Sequence, residues 1–377
     1  MKKVIIIGTV ASSILGFRRD LIKSLVLGGH SVYAFAMDYS DEQKCEVLGL
    51  GATPIEYKLS RSGMNPAKDM MTILQLKSLI KKIEPDVVFS YFSKPSIYGT
   101  IASSLAKVPR IVAMLEGLGY IFTDQPTGVS FKLKFLRKLQ VLLYKLAFPL
   151  LDRLIFLNPD DPVDLVQKYN IKTKSISVLG GIGVNLSEYP LSTPPTNNVK
   201  FIFIGRLLAE KGIKDFINAA KVIKLTNSDV DFIVLGQIDD SNPGSISQEE
   251  LDALIKSGII IYPGQVDNVI KWLHESSVFV LPSYYREGVP RSTQEAMAIG
   301  RPVITTDVPG CRETVKHGFN GFLCPPHDHI SIVRAMEKFL NDRALIEVMG
   351  AKSHSMAKEN FDSNEVNKQL INMIIGD

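Results

Sequence analysis

Two glutamates, Glu287 and Glu295, stand with seven residues between them in the segment Pro282-Ser-Tyr-Tyr-Arg-Glu287-Gly-Val-Pro-Arg-Ser-Thr-Gln-Glu295. A carboxylate accepts hydrogen bonds from two adjacent hydroxyls, which suits the recognition of a sugar or a ribose. Gly288 permits close backbone approach, and Pro290 suits a helix start. The N–H groups of 288–292, including those of Val289 and Ser292, then become candidates for binding phosphate, because free amides at a helix start favour anions. The competing interpretation is a helix that merely carries favourable glutamates near its start. A second cluster is Gly205-Arg206-Leu-Leu-Ala-Glu-Lys211-Gly212. Here two cations flank a helix start, an arrangement suited to a diphosphate. Taken alone, Arg206 and Lys211 also read as two solvated loop cations.

These groups must be held by something, and the chain supplies short β-branched runs alternating with helical patterns. Strands are expected at 3–8, 31–37, 53–57, 86–90, 110–114, 153–157 and 176–179, and again at 199–204, 231–235, 258–262, 278–281 and 302–305. Continuous apolar runs of this kind suit strands buried on both faces of a parallel sheet. Helical patterns lie between them, at 17–28, 68–83, 212–226, 247–256, 292–299 and 328–341, and the end (343–375) is helical throughout. The fold class is therefore α/β, with two doubly wound parallel-sheet domains. Ser187–Asn198 is polar and proline-rich and reads as the linker. The expected organisation is an N-terminal domain 1–186, linker 187–198, a C-terminal domain 199–358, and a final helix 359–377 that packs back on the N-terminal domain. A cleft between two such domains would receive the carboxyl ends of both sets of strands. Glu287 would lie on a loop above one strand and Glu295 in the first turns of the next helix.

Composition narrows the choice. The 377 residues are 45% hydrophobic and 22% charged, which excludes disorder over most of the chain. Three scattered cysteines, Cys45, Cys311 and Cys324, form no C-x-x-C, so a disulfide scaffold or zinc site is not expected. No P-loop, G-x-G-x-x-G, G-x-S-x-G or H-E-x-x-H occurs, which removes the usual anchors of nucleotide hydrolysis, dinucleotide binding, serine hydrolysis and zinc proteolysis. His327-Asp-His329 is a short isolated pair and reads as a solvated loop. The net charge of +4 is too small to argue for nucleic acid, but its distribution is uneven. Residues 1–195 carry 24 Lys+Arg and 16 Asp+Glu, a balance of +8, whereas the remainder balances at −4. An anionic partner is thus expected for the first half.

The first twenty residues place Lys2 and Lys3 before an apolar run, as a signal peptide does. Arg18, Arg19 and Asp20 follow too soon, and no A-x-A site precedes them, so a strand, turn and helix is the better reading. No run of 18 uncharged apolar residues exists; the nearest, Leu139–Leu151, is broken by Lys145 and Pro149. The stretch 130–151 sets Lys132, Lys134, Arg137, Lys138 and Lys145 among phenylalanines and leucines, without one acidic residue. It reads as a helix able to lie on an anionic membrane surface, or as a core helix whose lysines snorkel.

Taken in order along almost the whole chain, the motifs resemble family 4 of the retaining glycosyltransferases, which have the GT-B fold. Glu287 and Glu295 match its E-x7-E pattern, and Gly205-Arg206 with Lys211-Gly212 matches its G-R-x-x-x-x-K-G segment. Gly29-His30-Ser31-Val32, Val234-Leu-Gly236 and Gly264-Gln-Val-Asp-Asn-Val are similar to further family segments. The resemblance implies that Arg206 and Lys211 stabilise a leaving diphosphate, that Glu295 binds the nucleotide ribose, and that Glu287 contacts the donor sugar. Gly264, Val266 and Val269 would lie by the base, and Gly8 and Gly205 would also belong to the donor site. It implies no bound metal and no cofactor beyond a UDP-sugar substrate. Many family members carry a histidine where this chain has Glu116; that residue would touch the acceptor or the donor sugar, or only cap its loop.

Ser60-Arg61-Ser-Gly-Met-Asn65-Pro66, Leu115-Glu116-Gly117-Leu-Gly119-Tyr120, and Asn242-Pro243 followed by Ser257-Gly258 resemble the subgroup acting on undecaprenyl-diphosphate-linked sugars. That subgroup includes an α-1,3-N-acetylgalactosaminyltransferase and O-antigen enzymes. What the resemblance implies is transfer from a UDP-sugar, GalNAc or another N-acetylhexosamine or hexose, to a polyprenyl-diphosphate-linked saccharide. The enzyme would lie at the inner face of the cytoplasmic membrane and bind no nucleic acid. Arg18, Arg19, Ser60, Arg61, Lys94 and Gly117 are the acceptor candidates. Two other classes remain: a sugar-nucleotide-processing enzyme of the same fold without a lipid acceptor, and a non-catalytic sugar-nucleotide-binding protein.

Overall fold

A computed structural model of the chain describes residues 1–60, 65–126, 128–239, 242 and 244–376. Contacts divide it into two units: residues 1–121, 130–182 and 363–377 form the first, and 122–129 with 183–362 the second.

In unit 1 a seven-stranded parallel sheet is ordered β3-β2-β1-β4-β5-β6-β7. Its strands are β1 (Lys3–Ile7), β2 (Ser31–Ala36), β3 (Thr53–Glu56), β4 (Val87–Tyr91), β5 (Arg110–Leu115), β6 (Arg153–Phe156) and β7 (Ile176–Val178). The runs Val4–Ile7 and Val87–Tyr91 are wholly buried, as strands covered on both faces must be. The covering helices are α1 (Ala11–Phe17), α2 (Arg19–Leu27), α3 (Asp41–Gly49), α4 (Pro66–Ile83), α5 (Ser93–Leu105) and α6 (Phe131–Ala147). The helix expected at 17–28 is α2; α1, which precedes it and ends where the chain bends at Arg18, was not expected, and the Arg18 side chain turns inward.

Unit 2 repeats the plan with six strands ordered β10-β9-β8-β11-β12-β13. They are β8 (Lys200–Ile204), β9 (Asp231–Leu235), β10 (Ile261–Gly264), β11 (Val278–Leu281), β12 (Val303–Thr306) and β13 (Gly321–Cys324). Helices α7 (Ile213–Lys224), α8 (Gln248–Lys256), α9 (Val269–Glu275), α10 (Arg291–Ile299), α11 (His329–Asn341) and α12 (Ala344–Asn360) accompany them. β10 begins three residues later than its expected start. Gly258, at φ 68°, closes α8, and Ile259 N–H still bonds back to the Leu254 carbonyl, so the chain is leaving a helix where a strand was expected. β13 was not expected; four residues that begin with glycine and end with cysteine carry too little periodicity to be read.

The segment read as a linker is tied to unit 2 along its length. Ser192 N–H bonds the Ile299 carbonyl, Ser277 Oγ bonds the Pro195 carbonyl, and Arg343 donates to the carbonyls of Thr196 and Asn197. Arg301, fully buried, donates to the Ser192 carbonyl at 2.9 Å and to the Leu273 carbonyl at 2.8 Å. Burial lowers its pKa to about 10, which still leaves it charged at neutral pH. Polar composition suggested a free connection, but backbone carbonyls make such a stretch easy to anchor. α13 (Ser363–Ile375) belongs to unit 1, where Arg110 donates to the carbonyls of Ile374 and Met373.

Both sheets reverse their strand order beside the first strand of their unit, between β1 and β4 and between β8 and β11. Ligands of open parallel sheets bind outside the carboxyl ends of strands at such a reversal.

Candidate functional site

The carboxyl ends of β8 and β11 bring the charged motifs of unit 2 together. After β8 the chain runs through Gly205 and Arg206 into a tight turn, Ala209–Lys211, before α7. Gly212 makes this possible. Its φ is 81°, and a Cβ there would collide with the Pro282 carbonyl, so only glycine lets the Lys211 turn lie against the exit of β11. Lys211 Nζ consequently forms an ion pair with Glu287. Ser283 Oγ donates to the same Glu287 oxygen at 3.1 Å. The ring of Tyr285 lies 5.4 Å from the Lys211 ammonium and 6.0 Å from the Arg206 guanidinium. Arg206 also pairs with Asp239 at 3.3 Å.

Glu295 lies in α10, whose N-cap is Pro290. One of its oxygens accepts from Tyr189 Oη and from Arg291 Nε, both at 2.9 Å. Burial, with the neighbouring carboxylate, raises the Tyr189 hydroxyl pKa, so it stays a donor. Gly288, Val289 and Pro290 are buried, and Ser292 is half-buried. A cavity of about 280 Å³ opens beside β8 and β9, lined by Gly205, Arg206, Gly236, Gln237, Val266 and Val269 among others. Gly264 ends β10 at φ 87°, and its carbonyl accepts from Gly236 N–H. The site thus combines two cations, two carboxylates and a small cavity with apolar walls. Each carboxylate already has a cation, and an incoming anion would have to exchange with it.

Residues 3–158 match the family described as glycosyl transferase 4-like, and residues 191–359 match glycosyl transferases group 1. The chain is a family 4 glycosyltransferase. A Campylobacter jejuni protein named N,N'-diacetylbacillosaminyl-diphospho-undecaprenol α-1,3-N-acetylgalactosaminyltransferase is 28% identical over 96% of this chain and 95% of its own length. An Escherichia coli protein named UDP-Gal:α-D-GlcNAc-diphosphoundecaprenol α-1,3-galactosyltransferase is 29% identical over 74% of this chain and 72% of its own. Among solved structures, sucrose-phosphate synthase of Thermosynechococcus elongatus superposes with a TM-score of 0.78 at 17% identity, covering 99% of this chain and 98% of that one. Anabaena HepE with UDP and glucose superposes at 0.79 with 16% identity and 99% coverage of both chains. These two likenesses establish the shared GT-B fold.

The other candidates of this glycosyltransferase lie in unit 1, at the reversal between β1 and β4. Gly8 follows β1. A Cβ there would collide with the Tyr91 hydroxyl, and the Gly8 carbonyl accepts from Tyr57 Oη. Arg18, expected as a cation for an acceptor diphosphate, is instead an interior residue. It is 1% exposed, ion-paired with Glu116, and stacked 4.4 Å from the Tyr91 ring centroid. Burial pushes the Tyr91 hydroxyl up to about 12. Gly117 follows Glu116 at φ 97°. Arg19 pairs with Glu46 on the surface. Lys94 donates to the Ser60 carbonyl at 2.5 Å, and burial lowers its pKa. Arg61 lies outside the described residues. Among the described residues no group of three or more His, Cys, Asp or Glu is placed to hold a metal ion, and the His327 ring packs at a tilt against Tyr284.

Tyr189, Ser283, Tyr285 and Arg291 escaped the sequence reading. Arg291 alone left a signal, since it stands four residues before Glu295 on one helix. Replacing Glu295 by alanine removes the acceptor that Arg291 Nε and Tyr189 Oη share and takes a carboxylate from the site. The KM for the nucleotide-sugar donor is expected to rise about tenfold or more. Steady-state kinetics in donor concentration check this, and an unchanged KM would remove Glu295 from the donor site.

Proposed function

We propose that this glycosyltransferase moves a hexosyl or N-acetylhexosaminyl unit, with retention, from a UDP-sugar to a polyprenyl-diphosphate-linked saccharide at a membrane surface. The observation carrying the reading is the cluster of Arg206, Lys211, Tyr285 and Glu287 beside the small cavity at the strand reversal of unit 2. In this reading the cavity at Val266 and Val269 takes the base, and Glu295 holds the ribose. Lys211 and Arg206 exchange Glu287 and Asp239 for the diphosphate. Developing negative charge on the leaving oxygen is then met by fixed cations that need no reorganisation. The leaving oxygen accepts the proton of the attacking hydroxyl on the same face of the sugar. Glu287 orients the sugar and offsets positive charge at the anomeric carbon. The names of the two relatives, both acting on undecaprenyl-diphosphate-linked sugars, support the acceptor class.

Helix α6 supports the membrane contact. Phe131, Phe135, Leu142 and Leu146 are 87%, 60%, 52% and 59% exposed and fall on one stripe of the helix. Lys132, Lys134, Lys138 and Lys145 are exposed beside it. Ser130 caps its start by accepting from Leu133 N–H. Arg137, counted with these cations in the sequence, turns inward and donates to the Ile121 carbonyl at 2.8 Å. Among the described residues no helix is long and apolar enough to cross a membrane. The stripe is thus suited to lying in the interface. A Phe135→Glu/Leu142→Glu variant is expected to bind vesicles of mixed zwitterionic and anionic lipid at least about tenfold more weakly. Equal sedimentation of variant and wild type would overturn this role of α6. The reading as a whole is tested by screening UDP-sugars against polyprenyl-diphosphate-linked saccharides, with product linkage and anomer determined by NMR. A chain that consumes UDP-sugar without modifying any lipid-linked acceptor would point instead to the sugar-nucleotide-processing class.

A further inference from the structure

The segment Phe122–Val129 lies in the chain between β5 and α6, yet its contacts make it part of unit 2. Phe122 and Thr123 are buried there. Thr123 Oγ1 accepts from the N–H of Arg286, the residue before Glu287, at 3.1 Å. Gln125 Nε2 donates to an oxygen of Glu210, the residue before Lys211, at 3.4 Å. Gly128 N–H bonds the Gln125 carbonyl at 2.9 Å and closes the segment into a turn. Two hydrogen bonds from one short segment thus end beside the two members of the Lys211–Glu287 ion pair.

Glu210 joins the two places. Its backbone carbonyl accepts from Tyr284 N–H and Tyr285 N–H, each at 2.9 Å, and Ser283 Oγ lies 3.1 Å from it. The turn carrying Lys211 and the loop carrying Glu287 therefore share one acceptor. The Glu210 side chain is folded inward, 3% exposed, over Gly244, where a Cβ would collide with the carboxyl oxygens. Its Oε2 has no hydrogen-bond partner among the described residues, so the bond from Gln125 to Oε1 is costly to lose. We propose that Phe122–Val129 is a strap that positions the Lys211–Glu287 pair, with Thr123 acting through the Arg286 backbone and Gln125 through Glu210. Neither strap residue is a catalytic residue; each acts by holding a charged neighbour, where a displacement of about 1 Å costs about 100-fold in rate. The assignment rests on the roles proposed above for Lys211 and Glu287 and adds the residues that hold them in place.

The test uses the full chain. Thr123→Val keeps the volume of the buried side chain and removes its oxygen; Gln125→Leu does the same for the half-buried amide. Hydrogen–deuterium exchange is expected to quicken about tenfold at residues 283–287 in Thr123→Val and at residues 207–211 in Gln125→Leu, with the strands of both sheets unchanged. Steady-state kinetics should show kcat lowered about tenfold in each variant and KM for the UDP-sugar within about twofold of wild type. Thr123→Ser restores the hydroxyl and should return both readouts to wild type. Because Thr123 acts through the loop of Glu287, Thr123→Val should add less than about twofold to the loss caused by Glu287→Gln, whereas a merely structural defect would multiply with it. Wild-type exchange in both variants, wild-type kcat in both, or full multiplication in the Glu287→Gln background overturns the strap. The proposed donor chemistry fails differently, through Glu287→Gln and Lys211→Ala variants that both transfer at the wild-type rate. Exchange needs no turnover, and in that case it still decides whether the strap holds the two loops.

Discussion

Replacing Lys211 by alanine is expected to lower kcat/KM for sugar transfer by about 10²–10³-fold, the range found when one fixed donor to a developing anion is removed. Three observations support a loss of this size. The Lys211 turn is fixed by Gly212 against the Pro282 carbonyl, so no other side chain can be swung into its place. The Lys211 side chain is only 16% exposed, so solvent screens its charge little. Its partner in the free enzyme is Glu287, which loses that ion pair in the variant. The Lys211→Ala/Glu287→Gln double variant should therefore be far less impaired than the product of the two single losses, because the pair acts as a unit. UDP release assays with far-UV circular dichroism as a folding control read both effects. Wild-type turnover in a folded Lys211→Ala variant would sink the assignment of Arg206 and Lys211 to the diphosphate.

Glu287 and Lys211 were legible in the sequence because their chemistry is local: a turn, a helix start and a glycine whose place in the chain is fixed by spacing. The same holds for the two parallel sheets, whose strands are buried on both faces and so read as continuous apolar runs. What escaped was pairing across long separations. Tyr189 reaches Glu295 over 106 positions, and Arg18 meets Glu116 though no periodicity links them. Tyr285 carries no signal in the sequence; its place in the site is visible only once the Lys211 and Arg206 cations are seen near its ring. The segment 187–198 failed for the opposite reason. Its side chains are polar as a linker's are, but the anchoring runs through its backbone carbonyls, which composition does not report.

The uneven charge of the chain acquires a structural meaning from the same pairings. The half that balances at −4 contains the candidate nucleotide site, and net charge alone argues against an anion there. Field at a site depends on the nearest charges, however, and there each acid is matched: Glu287 with Lys211, Glu295 with Arg291, Asp239 with Arg206. In the proposed function an arriving diphosphate would replace one anion by another and leave no cation bare on departing. In the +8 half Lys132, Lys134, Lys138 and Lys145 are exposed along α6, where an extended anionic surface can meet them.

The second large effect concerns stability. Glu116→Ala is expected to destabilise unit 1 by about 3–5 kcal/mol, the usual result of removing one member of a buried ion pair. Arg18 is 1% exposed and the Glu116 side chain 9%, so water cannot replace the lost carboxylate. Tyr91 adds to the cost of any rearrangement. Its ring lies against the guanidinium, its hydroxyl bonds Ser13, and Gly8 packs on it without a Cβ to spare. Removing both charges together should be milder. Arg18→Met/Glu116→Leu keeps the volume and eliminates the unpaired ion, so it is expected to recover most of the loss. Urea denaturation followed by near-UV circular dichroism checks the order of the three proteins. The comparison also separates the two roles open to Glu116. If the carboxylate serves only to neutralise Arg18, the charge-free double variant regains transfer along with stability. If it also meets a substrate hydroxyl, the double variant is stable and still defective, with the defect in kcat/KM for one substrate. A Glu116→Ala variant as stable as wild type would show that the pair contributes nothing to the fold and leave Glu116 to be judged on kinetics alone.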